Sequence, residues 1–182
     1  HLVARLLTGE AWWIQLVWGL GVGLVSAFIA YKIISLKFME GVRIKYARML
    51  GDMDLTTQEI VFISICAGIG EEILFRGALQ PLLGIFLTAI IFVAIHGYLN
   101  PRDWRISVYG LFMTVVIIGF GFMTELVGIW SAVVAHFVID VYLLTRPDVP
   151  LPELISSDSE EIQSLQEELE MEKPENSPAE NG

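Results

Sequence analysis

Two adjacent glutamates and an arginine interrupt an apolar run. Residues 60–77 read IVFISICAGIGEEILFRG, so Glu71, Glu72 and Arg76 have hydrophobic neighbours on both sides. Ionisable groups in a segment of membrane length are costly, so they face a partner or a wet cavity and mark function. The only histidines beyond the first residue, His96 and His136, also lie in apolar stretches, and Asp140 follows His136 by four. Carboxylates and imidazoles held close together can move protons, activate water or bind a metal.

Helical spacing sorts these residues. At about 100° per residue, Glu71 and Glu72 project in different directions. Glu72 and Arg76 are four apart and share a stripe, as do His136 and Asp140. Pairing with Arg76 neutralises Glu72 and leaves Glu71 facing elsewhere. With a turn near Leu83, Glu71 lies twelve residues before it and His96 thirteen after. Each is then about 18–20 Å below the outer surface at 1.5 Å per residue, and His136 lies about 12 Å down its own helix. Glu71, His96, His136 and Asp140 are therefore expected to meet inside the bundle. The same residues fit three other readings. One is a salt-bridged network that only holds helices together, and another is a zinc or other divalent-metal ligand set. The third is a proton-coupled transporter, which five spans without an internal repeat match poorly.

The elements that must position these groups are apolar helices. Of 182 residues, 54% are hydrophobic and the mean hydropathy is +0.62, too oily for an ordinary soluble domain. Segments 12–34, 58–82, 85–98, 106–124 and 128–144 each read as a helix, giving an all-α, polytopic membrane helical bundle of about five transmembrane helices. Gly19, Gly21 and Gly23 suit close helix–helix approach in the first. Thr56 or Thr57 caps the second, and Pro81 with Gly84 punctuates the turn after it. Cys66 cannot form an internal disulfide and reads as a buried structural thiol.

Charge divides the chain. Residues 146–182 hold eleven acidic and two basic residues, against ten and nine in residues 1–145, so the net charge of −10 belongs to a tail. Three parts follow: 1–57, a transmembrane helix and a basic connector; 58–145, the core with the ionisable groups; and 146–182, an acidic, largely disordered tail. Within the tail, Ser157 and Glu160 resemble a capping box followed by Ile162, Leu165 and Leu169 at helical spacing. That is a solvated acidic helix or a docking face for a protein partner. No basic patch with interleaved aromatics stands out, so no nucleic acid is expected. Lys37, Arg43, Lys45 and Arg48 place the connector in the cytosol, and Arg102, Arg105, Arg146 and the tail then fall on the same side. A chain beginning at His1 is expected to lack an N-terminal portion, and no signal peptide is read.

Three spaced motifs, Glu71-Glu72-x-x-x-Arg76-Gly77, Phe92-x-x-x-His96 and His136-x-x-x-Asp140, occur in order within hydrophobic helices. This pattern, covering about residues 58–144, resembles the CPBP family of CAAX prenyl endopeptidases, bacteriocin-processing and Abi-type membrane proteins. The resemblance implies a metal-free intramembrane endopeptidase of the glutamic type, acting on a membrane-associated protein or peptide. Glu71 would activate a water with help from His96, and His136 with Asp140 would stabilise the oxyanion. Glu72, Arg76 and Phe92 would shape the site or hold substrate. Many members carry asparagine where this chain has Asp140, although aspartate also occurs. An amide donates a hydrogen bond and an ionised carboxylate only accepts. Asp140 therefore either accepts from His136 or donates as a neutral acid. A scaffold that keeps the fold without cleaving is the alternative from another class. No local motif tells whether the substrate is prenylated.

Overall fold

The computed structural model describes residues 2–146, all of whose regular elements are helical. Helix α1 is Leu2–Leu7, α2 is Trp12–Ile34, and α3 is Glu40–Met53, entered through a 3-10 turn at Lys37–Met39. Helix α4, Thr57–Glu72, runs through a π-helical segment, Ile73–Leu79, into α5, Gln80–Ile95. Helices α6, Trp104–Leu126, and α7, Ile129–Leu144, complete the described chain. The acidic tail, with the capping box expected at Ser157 and Glu160, lies outside the described residues.

Polarity is distributed inside out. Trp12, Val17, Phe28, Phe62, Phe86, Leu111 and Val115 are exposed, whereas Gln15, Ser64, Glu72, Arg76, Gln80, Thr88 and His136 are buried. Water would reverse that arrangement, and a hydrocarbon solvent favours it. Trp12–Ile34, Thr57–Ile95 and Trp104–Leu126 are long and apolar enough to cross a membrane, and Ile129–Leu144 is a shorter apolar helix. The chain is a multi-pass integral membrane protein.

The 39-residue stretch Thr57–Ile95 is a hairpin. In a straight helix Glu71 and His96 would be about 37 Å apart, yet their side chains approach to 3.3 Å. The reversal sits at Gly84, whose φ of 76° and ψ of 169° lie outside the helical region and suit a residue without Cβ. Pro81, read as part of the turn, is instead in the first turn of α5, where its missing N–H costs little. The segment expected to reach residue 98 stops at Ile95, because Gly97 turns the chain with φ of +75°.

Glycine sets the closest packing. Helix α2 lies along α7, and a Cβ at Gly19 would be 2.6 Å from Val134 Cβ, or at Gly23 2.9 Å from the Ala135 carbonyl oxygen. Gly21, expected to join them, faces away with nothing within 4 Å. Thr56 caps α4 with a capping box, accepting from the Glu59 N–H while Glu59 accepts from the Thr56 N–H. Two expectations are corrected. The polar connector contains a helix, α3, which buries Ala47 and turns Arg43, Tyr46 and Leu50 to the cavity, leaving Arg48 and Asp52 exposed. Cys66 is exposed rather than buried, because α4 turns its Ile60, Ser64, Gly68, Glu72 stripe inward and leaves the opposite side of the apolar run outermost.

Candidate active site

The inward stripe of α4 repeats every four residues, and its smallest member sets the approach of α7. A Cβ at Gly68 would meet the Val133 carbonyl oxygen at 3.2 Å and the Phe137 nitrogen at 3.4 Å. One turn later that proximity brings Glu72 against His136, with Nδ1 2.8 Å from Glu72 Oε1. The other oxygen, Oε2, is 3.0 Å from Arg76 Nε in an ion pair whose side chains are 1% and 0% exposed. An arginine-paired carboxylate accepts, so His136 donates from Nδ1. Its Nε2 is then the nitrogen turned to the remaining acids, 3.6 Å from Asp140 Oδ2 and 3.9 Å from Glu71 Oε2.

Arg76 is enclosed rather than solvated. Its guanidinium carbon stands 5.0 Å from the Phe92 ring centroid and 5.9 Å from that of Phe120, and Nη2 donates to the Ile117 carbonyl at 3.4 Å. The π segment widens the helix around it, with the Gln80 N–H bonded to the Phe75 carbonyl five residues back. Such a widened turn re-aims side chains and recurs at functional sites.

His96 arrives from the returning limb of the hairpin. Its Nδ1 lies 2.7 Å from the Phe92 carbonyl oxygen, which can only accept, so Nδ1 carries the hydrogen. Nε2 thus faces Glu71 Oε2 at 3.3 Å. That oxygen is shielded from solvent and has no aligned hydrogen bond. Phe92 organises the group: its ring stacks on His96 at 4.4 Å and meets His136 edge-on at 5.9 Å and Phe75 at 4.8 Å. Both imidazoles are therefore held by Nδ1 and turn Nε2 towards the same carboxylate oxygen.

These groups open onto a cavity of about 380 Å³ lined by Glu71, Phe92, His96, His136 and Asp140, together with residues of α2, α3 and α6. A carboxylate flanked by two oriented imidazoles can take a proton from water and hold the resulting charge. Among the described residues no group of three His, Cys, Asp or Glu side chains is placed to hold a metal ion.

Of the residues singled out from sequence, Glu71, His96, His136 and Asp140 come together, Glu72 and Arg76 form a buried pair behind them, and Phe92 packs between. Sequence reasoning gave the partner of His136 as Asp140; the shorter contact is to Glu72. The available signal was stoichiometric, since an arginine four residues on satisfies one carboxylate oxygen and leaves the other needing a donor. Tyr98 was missed. It lines the cavity and lies nearly parallel to His96 at 6.0 Å. It sits beyond the end of Thr57–Ile95, and burial pushes its phenol up to about 12, keeping it a neutral donor.

Residues 54–142 match the family model described as type II CAAX prenyl endopeptidase Rce1-like, a span that contains every residue named from Glu71 to Asp140. Over 85 residues the chain is 38% identical to the uncharacterized protein YpbD of Bacillus subtilis (strain 168), covering 44% of this chain and 41% of that protein. It is 26% identical over 176 residues to the sporulation-killing factor biosynthesis protein SkfC of the same organism, covering 80% of this chain and 33% of SkfC. The chain thus spans less than half the length of these curated relatives. No solved structure matches.

Proposed function

From the match of residues 54–142 to Rce1-like type II CAAX prenyl endopeptidases, we propose that this chain is a CPBP-type intramembrane endopeptidase of the glutamic type. At family level it is a protease-like membrane protein; the mechanism that follows is the reading the geometry supports. Glu71 takes a proton from a water, and the hydroxide adds to the scissile carbonyl carbon. Glu71 then returns the proton to the departing amide nitrogen as the C–N bond breaks. His96, fixed through Nδ1, positions the water from Nε2. His136, protonated on both nitrogens, donates from Nδ1 to Glu72 and from Nε2 to the oxyanion. Asp140 faces that same Nε2 and steadies its charge, and the buried Glu72–Arg76 pair holds the imidazole in place.

One observation carries this reading. Three groups from three different helical segments direct Glu71 Oε2 and two Nε2 atoms into one cavity, within 3.9 Å of each other across each Glu–His pair. The substrate is a membrane-associated protein or peptide. The division into 1–57, 58–145 and 146–182, with the tail in the cytosol, belongs to the same proposal.

The experiment compares membrane proteomes of cells expressing the wild type and Glu71→Gln. New termini present only with the wild type are expected, and they persist when the reconstituted protein is treated exhaustively with chelators. Identical profiles with a retained phenotype would instead indicate a scaffold. Loss of cleavage on chelation, restored by zinc, would indicate a metalloprotease.

A further inference from the structure

The π segment leaves one carbonyl short of a donor. In its register an N–H bonds five residues back, as the Gln80 N–H does to the Phe75 carbonyl. The next bond of that kind would run from residue 81 to the Arg76 carbonyl, but Pro81 has no N–H. The α-helical alternative, residue 80 to residue 76, is closed because the Gln80 N–H is already bonded to Phe75. A main-chain carbonyl within a membrane span is costly to leave unpaired. A donor from outside the hairpin meets it: Arg5 Nη1, on α1, lies 3.4 Å from the Arg76 carbonyl oxygen.

Arg5 is itself held in place. Its Nη1 and Nη2 donate to the two Glu125 oxygens at 2.9 and 3.3 Å, and Gln80 Nε2 donates to the same Glu125 Oε1 at 2.7 Å. Gln80 thus closes a loop from the hairpin to α6 and back through Arg5. Helix α1 is fastened to α7 as well, with Trp130 Nε1 donating to the Leu6 carbonyl at 2.9 Å. Gly77, next after Arg76, leaves room for the Leu2 side chain, which a Cβ there would meet. A partly exposed ion pair such as Arg5–Glu125 stabilises little by itself. The contact to a carbonyl that Pro81 cannot serve sets this one apart.

We infer that Arg5 is a positioning residue, which stands in for the donor that Pro81 lacks and so fixes the π turn that aims Arg76 at Glu72. Arg76 holds one oxygen of Glu72, whose other oxygen accepts from His136. A guanidinium outside residues 54–142 thereby sets the placement of an imidazole in the cavity. That this placement serves cleavage rests on the endopeptidase reading; the hold on the π turn does not.

The test compares the full chain in nanodiscs as wild type, Arg5→Ala, Pro81→Ala and the double variant, by hydrogen exchange at the amides of residues 77–80. Arg5→Ala should speed that exchange at least about ten-fold, the scale of a lost hydrogen bond to a charged group. Pro81→Ala alone should match the wild type. In the double variant the new N–H at residue 81 should restore the protection, a rescue that a role confined to anchoring α1 would not show. Arg5→Lys, which keeps a donor, should retain part of the protection. Should Arg5→Ala fail to fold, the double variant should fold. Unchanged exchange in Arg5→Ala, faster exchange in Pro81→Ala alone, or a double variant no better than Arg5→Ala overturns the inference. On a cleaved substrate, Arg5→Ala should lower kcat at least about ten-fold with KM unchanged, and adding Pro81→Ala should restore it. Equal kcat in wild type and Arg5→Ala would overturn the link from the π turn to the site. A wild type that cleaves nothing while the exchange pattern holds would refute the endopeptidase reading and leave the hold of Arg5 on the π turn standing.

Discussion

Glu72 joins two tasks through its two oxygens, one holding Arg76 and the other holding His136. Removing Arg76 breaks the buried ion pair of Glu72, a loss that costs about 3–5 kcal/mol. Arg76→Ala is accordingly expected to destabilise the protein by about that amount, read as a lowered unfolding midpoint in mild detergent. An unchanged midpoint would show that Glu72 finds another cation. The Glu72–Arg76 pair was legible from spacing alone, because residues four apart share a helical stripe. The bond from Glu72 to His136 was not, since it joins α4 to α7 and no local pattern records which helices are neighbours. Asp140 looked like the partner of His136 for the same reason: only its spacing was visible.

At the scale of the helices, the site depends on how closely α7 can be approached. Gly19 and Gly23 admit α2 on one side, and Gly68 admits α4 on another. Gly19→Ala should cost about 1–3 kcal/mol by overpacking and lower activity, because it pushes the helix that carries His136. Gly21→Ala, which meets nothing within 4 Å, should be neutral or slightly stabilising. Paired unfolding and activity measurements check both, and equal effects at the two positions would contradict the packing assignment. Apolar length revealed the spans, and a turn near Leu83 anticipated the break at Gly84. Besides the short α1, Leu2–Leu7, two elements were hidden. Helix α3 lacks the apolar length that marks a span, and the π segment at Ile73–Leu79 reads like any α-helical stretch, because its extra residue per turn depends on where Arg76 must be enclosed.

Across the whole molecule, the polar interior and apolar exterior make sense only in a bilayer, and the placement of the basic residues is the basis of the orientation proposed above. Lysine and arginine near the ends of the spans favour the cytosol. In a Cys66→Ser background, Arg48→Cys, Arg102→Cys and Arg146→Cys should therefore all react with a membrane-impermeant thiol reagent from the cytosolic side. Labelling from opposite sides would contradict the proposed topology. Composition made the membrane legible, whereas the convergence of three motifs at one depth was only an expectation of helix arithmetic until the hairpin at Gly84 was seen to bring Glu71 and His96 to 3.3 Å. The most direct measurement is the cleavage rate of a substrate found in the proteomic comparison, with purified protein in lipid vesicles, for wild type against Glu71→Gln. A general base contributes about 10²–10⁴ in rate, so Glu71→Gln should lose at least about 10² of activity while inserting and unfolding like the wild type. A Glu71→Gln protein that cleaves at the wild-type rate would show that the carboxylate between the two imidazoles does not activate the water.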